Sequence, residues 1–210
     1  EDGPLEMENL AQKIEDSLDG DLSSFNDIVL EFQDMVYYQA YRVIGEPDAA
    51  EDATQEAFIS AYQKLHTYRG GSFKSWLLRI VTNACYDEMR RRKRQPVSPL
   101  IPRSDDGEEF ESPDWMEDQG EKPEGFLERT ELSAAIQECL NQLEEKFRTV
   151  VVLVDMQELD YASTSEVIGS PLGTVKSRLA RARMRLQDCL REFGELLPVD
   201  LRHDGEANNI

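Results

Sequence analysis

The sequence predicts an all-α protein of two small helical domains joined by an acidic, proline-rich linker, the second domain ending in a helix-turn-helix. Three observations lead there. Apolar residues recur at three- and four-residue spacing on both sides of a polar gap. The gap itself, residues 96–125, holds five of the nine prolines, ten acids and only two basic residues. Near the C-terminus a short helical stretch, a glycine and a basic helix follow one another, which is the helix-turn-helix order.

In chain order, residues 1–21 are polar and acidic, with Leu10, Ile14 and Leu18 at helical spacing. Ser23 or Ser24 can cap a longer helix to about Ile44, whose stripe is Phe25, Ile28, Val29, Phe32, Val36, Ala40 and Val43. Gly45-Glu46-Pro47 ends it. Asp48 to about Leu65 is the next helix, with Ala53, Ala57, Phe58, Ala61, Tyr62 and Leu65 inward. On its other face Ile59 lies among Asp52, Gln55 and Glu56. That face reads either as a solvated acidic surface or as a docking surface for a basic protein.

Gly70-Gly71 marks a loop, and a helix from about Phe73 to Lys93 follows. Trp76, Leu77, Ile80, Val81, Ala84 and Cys85 point inward, while Arg79, Asn83, Tyr86, Asp87 and Arg90 share another face. The run Arg90 to Arg94 suits a helix C-terminus, and beside an aromatic and an Asn it favours phosphate contact.

Phe110, Trp115 and Met116 stand out in the otherwise polar gap as docking candidates. A second helical domain begins at Phe126, with Leu132, Ala135, Ile136, Cys139, Leu140 and Leu143 on one helix. Val150 to Val154 could form a strand, but its flanks favour a buried helix from Glu144 to about Leu159, and no second strand exists to pair with it. Tyr161 to Ile168 is a short helix and Gly169 a turn. Ser170 as N-cap and Pro171 at the first position open the last helix, which runs to about Phe193. Val175, Leu179, Ala182 and Leu186 bury one side, and Lys176, Arg178, Arg181, Arg183 and Arg185 cover the rest. The predicted division is therefore 1–95, 96–125, 126–197 and a tail, 198–210.

Net charge is −20, yet residues 173–191 carry six Lys/Arg and one acid. A cationic helix retained in so acidic a chain implies a polyanionic partner, because local field outweighs net charge at a contact face. Cys85, Cys139 and Cys189 are far apart and lie among apolar helical neighbours, so they read as reduced core thiols of a cytoplasmic protein. No metal-ligand spacing, phosphate-binding glycine loop or Ser/His/Asp set is present. No enzyme, cofactor or metal is expected, and neither is membrane insertion: no apolar run nears the ~20 residues of a span, and the N-terminus shows no signal-peptide pattern.

These parts, in this order, resemble the extracytoplasmic-function sigma factors of bacterial RNA polymerase. Asp48 to Phe58 resembles the polymerase-binding helix of that family, Phe73 to Arg91 its promoter-melting segment, and Gly173 to Arg183 its second DNA-binding helix. The resemblance covers about 20–95 and 126–195. It implies that Asp52, Gln55, Glu56 and Ile59 dock on core RNA polymerase, and that the loop 66–72 holds a base flipped from the minus-ten element. Arg69, Arg79, Asn83, Tyr86, Arg90 and Arg91 would meet minus-ten DNA, Asn83 at a base edge and the arginines at phosphates. Lys176, Ser177 and Arg181 would face minus-thirty-five bases, with Thr174, Arg178 and Arg183 on phosphates. It also implies an anti-sigma factor as a further partner. The sequence departs from the family at Ser163-Thr164-Ser165, where an apolar residue and a small one are usual; the hydroxyls there can back-bond to the preceding turn. A self-contained helix-turn-helix regulator would need neither the Asp52–Ile59 face nor the Trp76–Arg91 helix, and a protein-binding adaptor would not need the basic helix.

Overall fold

The computed structural model describes residues 4–94 and 123–196, with side chains over 9–94 and 130–196. Most of the predicted linker, with Phe110, Trp115 and Met116, and the tail 198–210 lie outside these residues. The linker's last positions, 123–125, are helical.

Helices α1 (Pro4–Leu18), α2 (Leu22–Ile44), α3 (Pro47–Lys64) and α4 (Phe73–Arg94) form the first unit. The α2 cap is Asp21, two positions before the first of the predicted serines. Its carboxylate accepts the Ser23 N–H at 3.0 Å and the Ser23 and Ser24 hydroxyls. Gly45 ends α2 in the left-handed region, φ 86°, and donates to the Tyr41 carbonyl. On α3, Ala50, Ala53, Ala57 and Ala61 form a buried row of small side chains, which lets α2 and α4 approach closely. Leu77, Leu78, Val81 and Cys85 of α4 and Ile28, Val36 and Val43 of α2 complete the core. Truncating one such fully buried Leu to Ala costs roughly 2–5 kcal/mol.

The loop before α4 is ordered by aromatics. Tyr68, Phe73 and Trp76 pack ring against ring, and the Tyr68 hydroxyl donates to the Gly71 carbonyl at 2.7 Å. Gly70 and Gly71 both have φ near +87°, which explains the glycine pair.

The second unit comprises α5 (Pro123–Gln142), α6 (Glu145–Val151), α7 (Tyr161–Ile168) and α8 (Leu172–Leu190). The valine run is helical, as its flanks favoured. It leaves α6 in a π turn over Val152–Met156, closed by the Gln157 N–H on the Val152 carbonyl. Glu158 then takes φ 58°, and Asp160 caps α7. Helix α8 begins one residue later than expected: Pro171 is its N-cap, and the Ser170 hydroxyl instead accepts from Arg178 at 3.4 Å. No strand occurs among the described residues.

The two units pack against each other through one continuous core, with α2 against α5 and α4 against α7. Arg42 on α2 is buried and donates to the Ser133 carbonyl, the Ser133 hydroxyl and Gln137 on α5, its guanidinium lying over Tyr38 and Tyr41. Arg148 on α6 donates to the Val43 carbonyl at the end of α2 and to the Asn141 and Leu143 carbonyls at the end of α5. Burial pushes the Arg148 guanidinium down. A Cβ on Gly45 would meet Asn141 Oδ1 at 2.2 Å.

The expectation of three reduced thiols is corrected at two of them. Cys139 on α5 and Cys189 on α8 form a disulfide, Cα–Cα 5.7 Å. Cys85 is free and buried, its thiol pushed up to about 12 by burial.

Candidate nucleic-acid interface

Helix α8 owes its orientation to Val175, Leu179 and Ala182, all buried. Burying those three turns Lys176, Ser177, Ala180, Arg181 and Met184 outward. Lys176 Nζ lies 5.8 Å from the Tyr161 ring centre, so the first residue of α7 borders the same face. Ser177 hydrogen-bonds its hydroxyl to the Thr174 carbonyl. The other cations of the helix are engaged within the chain. Arg183 forms a two-pronged pair with Asp155 at 2.9 and 2.5 Å, and Arg185 reaches Glu144 across the Phe147 ring. Thr174 and Arg178 are half-buried.

The turn before α8 is held by Ser165, whose hydroxyl donates forward to the Ser170 carbonyl at 2.6 Å. Thr164 beside it is fully buried, and its hydroxyl has no partner. The expectation that both hydroxyls bond back to the preceding turn is thus replaced by one forward bond and one orphan.

On α4, Arg79 and Asn83 are exposed and line a groove of about 460 Å³ against α3, with Glu56, Ser60, Lys64 and Trp76. Arg69 is exposed on the aromatic loop. Arg90 pairs with Asp87. Arg91 bridges Glu88, at 2.8 Å, and Asp52 of α3, at 3.2 Å. Tyr86 stands apart from this group: it is half-buried between the units, where burial pushes its phenol up and a side-chain hydrogen bond with Thr149 of α6 pulls it partly back. Period alone put Tyr86 on the Asn83 face. Packing of the second unit takes it off that surface.

On α3, Asp52, Gln55, Glu56 and Ile59 are all exposed. Ile59 is 53% exposed among acids, and Tyr62 one turn on is 40% exposed, so the apolar part of this face is wider than Ile59 alone. Helical spacing places Tyr62 inward; its ring does pack edge-on against Phe25 at 4.9 Å, yet part of it stays in solvent.

Two family descriptions match the chain: Sigma-70 region 2 over residues 28–95 and Sigma-70, region 4 over residues 133–186. The ECF sigma factor SigW of Bacillus subtilis is 34% identical over 185 residues, covering 88% of this chain and 98% of SigW. The RNA polymerase sigma-H factor of Pseudomonas aeruginosa is 35% identical over 193 residues, covering 90% of this chain and 99% of its own.

The chain belongs to the extracytoplasmic-function sigma factors.

A longer relative, SigE of Mycolicibacterium smegmatis, is 37% identical over 169 residues, but this chain spans only 62% of it. Among solved structures, the sigma factor RpoE bound to the anti-sigma factor NepR from Bartonella quintana aligns with a TM-score of 0.62 at 25% identity, covering 81% of this chain and 98% of that one. CnrH in complex with the cytosolic domain of CnrY shares the fold, with a TM-score of 0.58. As a sigma factor, the chain acts in promoter recognition and transcription initiation with RNA polymerase. Among the described residues no helix is long and apolar enough to cross a membrane.

Proposed function

We propose that this sigma factor docks on core polymerase through Asp52, Gln55, Glu56 and Ile59 and reads promoter DNA with two separate surfaces. Minus-ten DNA is held by Arg69, Arg79, Asn83, Arg90 and Arg91, with the groove beside Trp76 and Asn83 as the place for an unstacked base. Tyr86 joins that set only when the units part. Minus-thirty-five bases face Lys176, Ser177 and Arg181, and Thr174, Arg178 and Arg183 serve phosphates. The working divisions are 1–95 for polymerase and minus-ten contacts, 96–125 as linker, 126–197 for minus-thirty-five contacts, and 198–210 as tail. The protein works in the cytoplasm, where its template is, and contributes binding rather than catalysis. An anti-sigma factor is its third partner, by analogy with the RpoE–NepR complex.

The observation that carries the reading is Ile59, half in solvent on an acidic face of a helix whose opposite side is a tight alanine row. With Tyr62 one turn on, also 40% exposed, Ile59 forms an apolar patch rimmed by acids, which is the form that a protein contact takes. The test is run-off transcription with core polymerase. Glu56→Lys with Ile59→Ala is expected to abolish both co-purification with polymerase and transcript, while circular dichroism stays unchanged. Undiminished co-purification sinks the docking assignment.

A further inference from the structure

Two features find no use in promoter recognition: a disulfide, and two arginines that clasp the units together through neutral acceptors. They meet on one helix. On α5, Ser133 and Gln137 take the Arg42 guanidinium, and Asn141 lies against Gly45. These residues are spaced by four, so they share one face. Cys139 lies on another side of the helix, bonded to Cys189 near the end of α8. Helix α5 is therefore fixed to the first unit by hydrogen bonds and to the second by a covalent bond.

The clasped arrangement is too small for a whole promoter. Elements at minus ten and minus thirty-five lie about 25 base pairs apart, or ~85 Å at ~3.4 Å per pair. A compact body of this size is about 40 Å across. The units must separate to engage both elements, and Tyr86 is uncovered only when they do.

We infer that the Cys139–Cys189 pair is a redox site that sets this separation: the disulfide braces α5 as the acceptor for Arg42 and keeps the protein closed, and its reduction frees the helix and opens the protein. The reductant is a dithiol. Its thiolate attacks the Cys189 sulfur, the less enclosed of two buried cysteines, at 9% exposure against 0% for Cys139. The S–S bond breaks and Cys139 leaves as a thiolate. The second thiol of the donor then displaces Cys189. Two electrons and two protons pass to the protein as two thiols, and the donor departs as its own disulfide. Among the described residues Arg42 has three neutral acceptors and no carboxylate partner, so no ion pair holds this clasp.

This inference rests on the two-surface reading above only for its consequence, not for its test. Small-angle scattering of the full chain, oxidised and then treated with dithiothreitol, should show the radius of gyration rising by several ångströms on reduction. The Cys139→Ser/Cys189→Ser variant should be expanded under both conditions, and Arg42→Ala should be expanded even when oxidised. Far-UV circular dichroism must stay constant throughout. An unchanged radius on reduction overturns the switch, and so does expansion that comes with lost helical signal, since that is unfolding of the second unit. The isolated protein's affinity for a duplex carrying both elements at promoter spacing should rise roughly tenfold on reduction, if about a tenth of the oxidised protein is open. Expansion without any duplex binding would sink the promoter reading and leave the switch standing.

Discussion

Arg91 on α4 holds the Asp52 carboxylate of α3 at 3.2 Å, so a residue proposed for DNA and one proposed for polymerase neutralise each other. Both side chains are about 60% exposed, and an ion pair that open to solvent adds little to stability. The pair is therefore not a fold determinant.

Asp52→Asn is accordingly expected to move the thermal midpoint by less than about 4 °C while weakening polymerase capture. Differential scanning calorimetry and a pull-down with core polymerase separate the two effects. A large drop in midpoint with normal capture would reverse the assignment.

Arg181→Ala should cost roughly 1–3 kcal/mol at the upstream element and relax its base preference. Competition between promoter variants reads this out. A loss that is equal for every sequence would make Arg181 a phosphate contact.

Thr164→Val should stabilise the protein by about 1 kcal/mol, because it removes a buried hydroxyl that has no partner and keeps the shape of the side chain. Chemical denaturation checks it. A destabilised variant would mean that the hydroxyl is satisfied in solution.

Glu158→Gly should add about 1 kcal/mol, since Glu158 sits at φ 58° and a side chain is strained there. Equilibrium unfolding of the single variant suffices; unchanged or reduced stability counts against strain at this loop.

Glu88 gives a pH prediction. Burial pushes its carboxyl up, but hydrogen bonds from Arg91 and Arg92 outweigh that and hold it below its ordinary 4.5. A depressed folded value means that its stabilisation is fully present above about pH 5.5 and is lost as pH falls through the folded value. Glu88→Gln should therefore be less stable than the parent at neutral pH and show a shallower decline on acidification. Identical acid limbs in urea titrations at successive pH values would contradict this.

Much of the molecule can be read from its residues, and the misses have a common cause. Apolar periodicity places α2, α3, α4 and α8 because each buries a stripe against neighbours in its own unit. It also isolates Ile59, because an apolar residue off the stripe is a local anomaly. What periodicity does not carry is which surfaces of one unit meet the other. Arg42 and Arg148 look like ordinary solvated cations until α5 supplies carbonyls for them. Tyr86 shares a helical face with Asn83 and still ends up covered. Cys139 and Cys189 are 50 residues apart, and only the α5–α8 packing brings them together. The caps moved by one to three residues, to Asp21 and Pro171, because several neighbouring residues can cap a helix and tertiary fit chooses among them.

Gly45 carries a consequence beyond its turn. Its backbone lies in the left-handed region, and the same missing Cβ leaves room for Asn141 of the other unit. One position thus answers to two requirements, a helix end and a seam. A single added carbon at 45 would strain the end of α2 and force the Asn141 amide to swing out of the seam, so one substitution, remote from both surfaces proposed for DNA, reports on the turn and the seam together.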